Sequence, residues 1–353
     1  MNNQDDLGVV ILGAGRWGTH LIRNFLSQPS CRIMAIADPS TERLHAVSQQ
    51  FDLDSATTLT PHWDVALDVS DVDAAIVATP ASTHTMLIRA ALERGHHVLA
   101  EKPLALNPTE AIALCQLAQR QKRQLVVDHT YLFHPAIQAG HHWINANRSS
   151  IPHYGYATRT HLGPIRHDVD ALWDLAIHDI AILNYWLNDV PIQAQAYGQT
   201  WLHRSVPSPN SESNLSDLVW VRLVYPSGLQ AWIHLCWLNP DKQRRLCLVS
   251  DRGTLIFDEL QAESPLTLHR GCLDSTPDGF HPIYQEKAII PVLPEEPLQR
   301  VCAHFLQCAR YNQPSPISAG WVGVQLIQII DALARSLNQE GSLVHLSPLS
   351  RES

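Results

Sequence analysis

The chain has 353 residues, 45% of them hydrophobic, so it is too long for one ordinary domain and carries ample apolar content for two cores. Its formal net charge of -9 argues against a nucleic-acid partner, which needs a net basic face, and any anionic ligand must be held by a local cluster of Arg and Lys. No apolar run reaches membrane-spanning length, and the acidic, polar opening Met1-Asn-Asn-Gln-Asp-Asp-Leu7 lacks the basic-then-apolar pattern of a secretory signal, so a soluble cytoplasmic protein with no membrane partner is expected.

Leu7 to Leu12 reads as a buried strand that runs directly into Gly13-Ala-Gly15-Arg16-Trp17-Gly18 and then a helix through Phe25. Glycines at these positions let the backbone turn tightly, approach a pyrophosphate and pack helix on strand, with the helix N-terminus facing the phosphates. A second strand, Arg32 to Ala37, ends in Asp38, twenty residues beyond Gly18, where an acid accepts hydrogen bonds from the adenosine ribose. An acid there repels a 2'-phosphate, so NAD is expected over NADP. Ala74 begins another buried strand ending in the polar turn Thr79-Pro80, with Ser82 or Thr83 expected to cap the helix through Arg94. His97 to Ala100 is a short strand leading into Glu101-Lys102-Pro103, followed by a helix over Pro108 to Gln121 and a strand over Gln124 to Asp128. This alternation predicts a doubly wound parallel sheet whose ligands gather beyond the carboxyl ends of the strands. Lys102 stands at one such end, placed to stabilise a developing oxyanion.

Beyond His129 the alternation stops. Strands are predicted at Tyr154 to Thr160, Ile192 to Thr200, Asp217 to Tyr225, Leu229 to Trp237, Arg245 to Ser250 and Thr254 to Asp258, with turns at Tyr225-Pro-Ser-Gly228 and Ser250-Asp-Arg-Gly253. These imply an α+β domain with a mostly antiparallel sheet. The division expected is 1–130 for the dinucleotide-binding domain and 131–353 for the second. Helices over Leu298 to Ala309 and Val322 to Leu337 are expected to close the second domain, and Ser205 to Ser216 reads as a disordered insertion.

Ala171 to Leu187 is a helical run apolar around most of its circumference, yet it carries Asp174 and His178 four residues apart on one face. Ionisable groups on a buried helix need partners or a task. Arg159 with Arg166, and Lys242, Arg244 and Arg245 just after a predicted strand, could form an anion-binding wall suited to a substrate with phosphates. The seven cysteines form no CxxC pair and their odd number cannot all pair in one chain, so free, mostly packed thiols in a reducing compartment are expected. The twenty histidines show no zinc spacing, and no metal is expected.

Gly13-x-Gly15-x-x-Gly18, Thr79-Pro80, Glu101-Lys102-Pro103 and Asp174-x-x-x-His178 together resemble the Gfo/Idh/MocA family over essentially the whole chain. The resemblance implies an N-terminal Rossmann domain, a C-terminal domain with a large open-faced sheet, hydride transfer between a nicotinamide and a sugar or polyol hydroxyl, and a homodimer or homotetramer. It implies Lys102, Asp174 and His178 as the catalytic group, with Gly13, Arg16, Trp17, Asp38, Thr79, Pro80, His84 and Glu101 on the cofactor side. His129, Arg159, Arg166, Lys242 and Arg244 are the candidate substrate contacts. Arg159-Thr-His-Leu-Gly-Pro-Ile-Arg166, Leu172 to Asp179 and Cys236 to Arg244 look similar to the branch acting at C3 of nucleotide-linked sugars, although His134 and His161 stand where that branch more often has Asn. The alternatives are an inositol or free-sugar dehydrogenase of the same family and a catalytically silent dinucleotide-binding sensor.

Overall fold

The computed structural model describes residues 6–147, 150–166, 169–202 and 215–347. They divide into two compact units: the described residues up to Phe133 with Glu295–Ile327, and His134–Pro294 with the described residues from Gln328 onward.

The first unit alternates β1 (Leu7–Leu12), α1 (Arg16–Leu26), β2 (Cys31–Ala37), α2 (Thr41–Phe51), β3 (Thr58–Thr60), α3 (Trp63–Leu67), β4 (Ala74–Val77), α4 (Ala81–Glu93), β5 (His97–Glu101), α5 (Pro108–Gln121) and β6 (Leu125–Asp128). Among the described residues six strands form one parallel sheet in the order β3-β2-β1-β4-β5-β6. Both faces are covered by helices, so β4, β5 and β6 are buried at every position instead of alternating. The strand order reverses between β1 and β4, which is where such sheets open a crevice for a dinucleotide. One local expectation fails. Ser82 and Thr83 do not cap α4, because the helix begins at Ala81 behind Pro80, and the Thr83 hydroxyl instead donates to Pro80 O at 2.7 Å from inside the first turn. Pro80 itself holds the N-cap position, with ψ 142°, and its side chain carries no acceptor, so the first N–H groups of α4 go without a side-chain cap.

The second unit contains α6 (Pro135–Ala146), β7 (Pro152–Leu162), α7 (Ala171–Leu187), β8 (Gln193–Gln199), β9 (Leu218–Val224), β10 (Gln230–Cys236), β11 (Leu238–Ser250), β12 (Gly253–Asp258), β13 (Leu266–Thr276) and β14 (Gly279–Ile289). The chain then forms α8 (Pro297–Tyr311) in the first unit, α9 (Gly320–Asn338), whose residues from Gln328 count with the second, and β15 (Val344–His345). Nine strands among the described residues build one sheet, β14-β13-β12-β11-β7-β10-β9-β8-β15, in which every pair but β7 with β10 is antiparallel. Strand alternation gives it one covered and one open face. Val219, Val221, Ala231 and Ile233 are buried on the side that meets α7, whereas Tyr197, Trp220 and Trp232 on the other side are roughly half exposed.

Three expectations for this half of the chain change. Helix α8 packs in the first unit, where Phe305 meets Phe25 of α1 edge-on at 6.5 Å and Glu296 pairs with Arg23, so it does not close the second domain. An apolar stripe identifies the face a helix buries but not the partner that covers it. Strand β11 begins at Leu238, so Lys242, Arg244 and Arg245 lie within it, and the register jumps between Leu238 and Gln243 as a bulge that contains Lys242. The hairpin β13–β14 is absent from the sequence reading because most of it is exposed and shows little burial alternation. Residues 205–214 of the expected insertion lie outside the described residues. All seven cysteines are free, and five of them are buried. Among the described residues no helix is long and apolar enough to cross a membrane.

Candidate active site

In the first unit, the turn after β1 is held by contacts that permit only glycine at two positions. Gly13 has φ +105°, and a Cβ there would lie 2.4 Å from Ala78 O at the end of β4; a Cβ on Gly18 would lie 2.0 Å from Gly13 O. Gly15 differs, since a Cβ would meet nothing within 4 Å, so the space above it is open to a ligand. Gly15 is also the N-cap of α1, whose first turn has no side-chain cap and no acidic residue. Open space, orphan N–H groups and a positive helix end together fit a pyrophosphate. Arg16 and Trp17 are exposed on that first turn.

Asp38 follows β2 and is 3% exposed. Its carboxylate accepts from Ala14 N at 2.8 Å and from Ser40 N at 2.9 Å, which ties the glycine turn to the start of α2. Thr79 follows β4, with its hydroxyl 2.7 Å from that of Thr83, and Pro80 caps α4. His84 is fully buried; its Nδ1 lies 2.8 Å from Pro103 O and its Nε2 2.9 Å from Thr79 O. Burial lowers its pKa while both backbone contacts oppose that shift. His84 therefore joins the turn after β4 to the segment after Lys102, which is a positioning task. Lys102 is half-buried at the carboxyl end of β5. Glu101, before it, faces the interior and hydrogen-bonds Asp128. His129 is buried after β6, its Nδ1 2.7 Å from the Ser318 hydroxyl, and burial pushes its pKa down to about 3. Gly13, Asp38, Thr79, Lys102 and His129 thus follow the carboxyl ends of β1, β2, β4, β5 and β6, along one edge of one sheet.

In the second unit, α7 begins at Asp170, whose carboxylate accepts from Trp173 N at 3.0 Å. In its first two turns only Trp173, Asp174 and His178 are half-buried, and every other residue is buried. Asp174 and His178 therefore occupy the single uncovered stripe of an apolar helix. Arg166 approaches Asp174 at 3.4 Å. Arg159, expected as a substrate contact, is 3% exposed and forks onto Asp179, with Nε to Oδ2 at 2.8 Å and a second nitrogen to Oδ1 at 3.0 Å. Its charge is committed inside the unit. Arg244 pairs with Glu259 at 3.0 Å, while Lys242 is exposed in the β11 bulge. His161, half-buried on β7, feels the charges of Arg244, Asp174, Arg159 and Lys242, and burial lowers its pKa. The sequence reading gives no role to Asp128, Asp179 or His161. The first two carried a signal, since each is an acid ending or interrupting an otherwise apolar element.

Comparison with known proteins agrees with both units. Residues 7–129 match the family model described as "Oxidoreductase family, NAD-binding Rossmann fold", and residues 148–256 match the "GFO/IDH/MocA C-terminal domain". The chain is 29% identical over 191 residues to UDP-N-acetylglucosamine 3-dehydrogenase of Acidithiobacillus ferrooxidans, a match covering 53% of this chain and 56% of that protein. It is 28% identical over 195 residues to scyllo-inositol 2-dehydrogenase (NAD(+)) of Bacillus subtilis, covering 54% and 56%. The chain thus spans about half the length of each of these relatives. In three dimensions it is similar to a structure of the A. ferrooxidans dehydrogenase, with a TM-score of 0.79 at 20% identity over 95% of this chain and 98% of that one, a likeness of fold.

Proposed function

The chain belongs to the Gfo/Idh/MocA oxidoreductase family, and from that premise we propose that it interconverts a sugar hydroxyl and its ketone, with C3 of a nucleotide-linked sugar as the reacting carbon and NAD as the preferred cofactor. The observation that carries this reading is the half-buried Asp174–His178 stripe on a helix whose other positions in the first two turns, Trp173 apart, are buried. The open space at Gly15 and the uncapped start of α1 fit a dinucleotide phosphate.

When bound, a nicotinamide dinucleotide supplies the hydride acceptor. His178 takes the hydroxyl proton as the C–H and O–H bonds break and the C=O bond forms, while Asp174 holds the imidazole in its accepting tautomer. Lys102 donates a hydrogen bond to the developing alkoxide, a contribution on the order of 3 kcal/mol in a site without water. Asp38 favours NAD because its carboxylate repels a 2'-phosphate. Lys242, exposed in its bulge, supplies positive charge for a diphosphate.

The test follows nicotinamide absorbance with a panel of UDP-sugars, free hexoses and inositols. Turnover with a UDP-sugar is expected, and His178→Ala and Lys102→Ala are each expected to lose about two to four orders of magnitude while NAD still binds. Wild-type turnover in either variant, or no absorbance change with any sugar, refutes the assignment. A second reading, an uncharged polyol or free sugar as substrate, is favoured by one observation. Arg159 and Arg244 are both engaged by carboxylates of this chain, which leaves fewer cations for a phosphate.

A further inference from the structure

Strands β5 and β6 are paired in a register that sets Glu101 beside Asp128 at their carboxyl ends. Both side chains leave water, with Glu101 9% and Asp128 1% exposed. Two adjacent buried carboxylates would repel each other, and each oxygen would require a donor. The donors do not suffice. Asp128 Oδ1 accepts from the Thr130 hydroxyl at 2.7 Å, and the Trp17 side chain also hydrogen-bonds this carboxyl group. Asp128 Oδ2 and Glu101 Oε1, however, meet no N–H or O–H donor among the described residues. The two carboxyl groups nevertheless hydrogen-bond each other. Such a contact is a bond only when one of the two groups is protonated, because ionised carboxyls are acceptors alone.

The proton belongs on Glu101. Burial and the neighbouring Asp128 charge raise the Glu101 pKa well above its ordinary value, whereas the rise that burial imposes on Asp128 is opposed by bonds from Thr130, Glu101 and Trp17. Lys102 acts as a cation on both groups. Among the described residues the buried Cys302 thiol of α8 also faces the pair and is neutral, its pKa raised by burial and by Asp128, and His129, next to Asp128 in the chain, is kept neutral by burial.

We propose that Glu101 and Asp128 hold one proton between them, resident on Glu101, and that the remaining negative charge, on Asp128, helps keep Lys102 an ammonium. Glu101 and Asp128 are then positioning residues. Desolvation alone pulls a lysine toward the neutral amine, and a neighbouring negative charge opposes that pull. As an ammonium, Lys102 can donate to a developing alkoxide. The value of this to catalysis rests on the role assigned to Lys102 above, but the proton arrangement is testable without substrate.

The first measurement titrates Lys102 in the full chain by competitive acetylation across pH, read by peptide mass spectrometry. Asp128→Asn removes this negative charge and is expected to lower the Lys102 midpoint by about 1 unit, whereas Glu101→Gln, which keeps an N–H donor to Asp128, is expected to leave it within about 0.3 unit. The second measurement is the infrared spectrum at neutral pH. The wild type is expected to show a protonated-carboxyl C=O band that Glu101→Gln abolishes, and this decides the proton even if Asp128→Asn does not fold. An unmoved midpoint in Asp128→Asn, an equal fall in both variants, or a wild type lacking the band overturns the proposal. Failure of every sugar in the activity panel would refute the functional reading and leave this arrangement standing.

Discussion

The ion pair between Arg159 and Asp179 makes a quantitative claim about the second unit. The two side chains are 4% and 3% exposed and are joined by two charge-assisted bonds, so removing one partner strands a full charge where water cannot reach it. Asp179→Asn or Arg159→Met should each cost about 3–5 kcal/mol, which for a unit of this size lowers the melting temperature by about 6–20 °C. Replacing both partners by apolar residues, as in Arg159→Met with Asp179→Leu, removes both charges together and should recover most of that loss. Calorimetric and denaturant unfolding of the two singles and the double complete the cycle. Singles within about 0.5 kcal/mol of wild type, or a double variant whose loss equals the sum of the singles, would show that the pair is solvated and the reasoning wrong. The outcome also bears on recognition. If Arg159→Met melts as the wild type does but loses protection by a UDP-sugar, then Arg159 contacts substrate and its pairing with Asp179 is secondary.

The glycine turn separates folding from binding: Gly18→Ala places a methyl 2.0 Å from Gly13 O and should destabilise the first unit, while Gly15→Ala should melt as the wild type yet bind NAD about tenfold more weakly, ~1.4 kcal/mol by calorimetric titration. Equal melting of the two variants, or equal NAD affinity in Gly15→Ala and wild type, contradicts the cradle. Lys242→Ala should raise KM for a UDP-sugar with kcat unchanged and leave a neutral polyol unaffected, and equal effects on both substrates would remove Lys242 from recognition. Buried His129 gives a pH dependence: its pKa falls from 6.5 to about 3 in the folded chain, so below pH 6.5 protons favour the unfolded state and stability is lost progressively toward pH 3. Between pH 7 and 5 this residue alone should cost about 2 kcal/mol in urea unfolding, with His84, His96 and His97 adding in the same direction, and His129→Asn should flatten the slope.

The elements best read from the sequence are those whose cause is local. β1, the glycine turn and α1 follow from backbone constraints within a dozen residues, and α7 runs from Ala171 to Leu187 as its composition predicts because nothing inside it breaks a helix. What was not legible depends on pairing across the chain. The stripe of α8 shows that Val301, Cys302 and Phe305 are buried but not that α1 covers them. The register that brings Glu101 beside Asp128 is a property of two strands separated by a helix, and so is the protonation that follows from it.

The contrast between Asp174 and Asp179 shows how far a single sequence could have gone. Successive helical residues are rotated by about 100°, so Asp174 and His178 lie about 40° apart while Asp179 lies about 140° from Asp174, toward the opposite side. An acid on the covered side of an apolar helix requires a buried cation. Arg159, in the predicted strand Tyr154 to Thr160, is a cation available for it in the same domain. The structure separates Arg159 and Arg166 by the face of α7 that each one meets: Arg159 neutralises the covered acid, and Arg166 approaches the uncovered one. Charge proximity in sequence therefore does not by itself identify a phosphate-binding cluster. A residue's side of its helix or strand, worked out before any role is assigned, distinguishes a cation that maintains the fold from one that can meet a ligand.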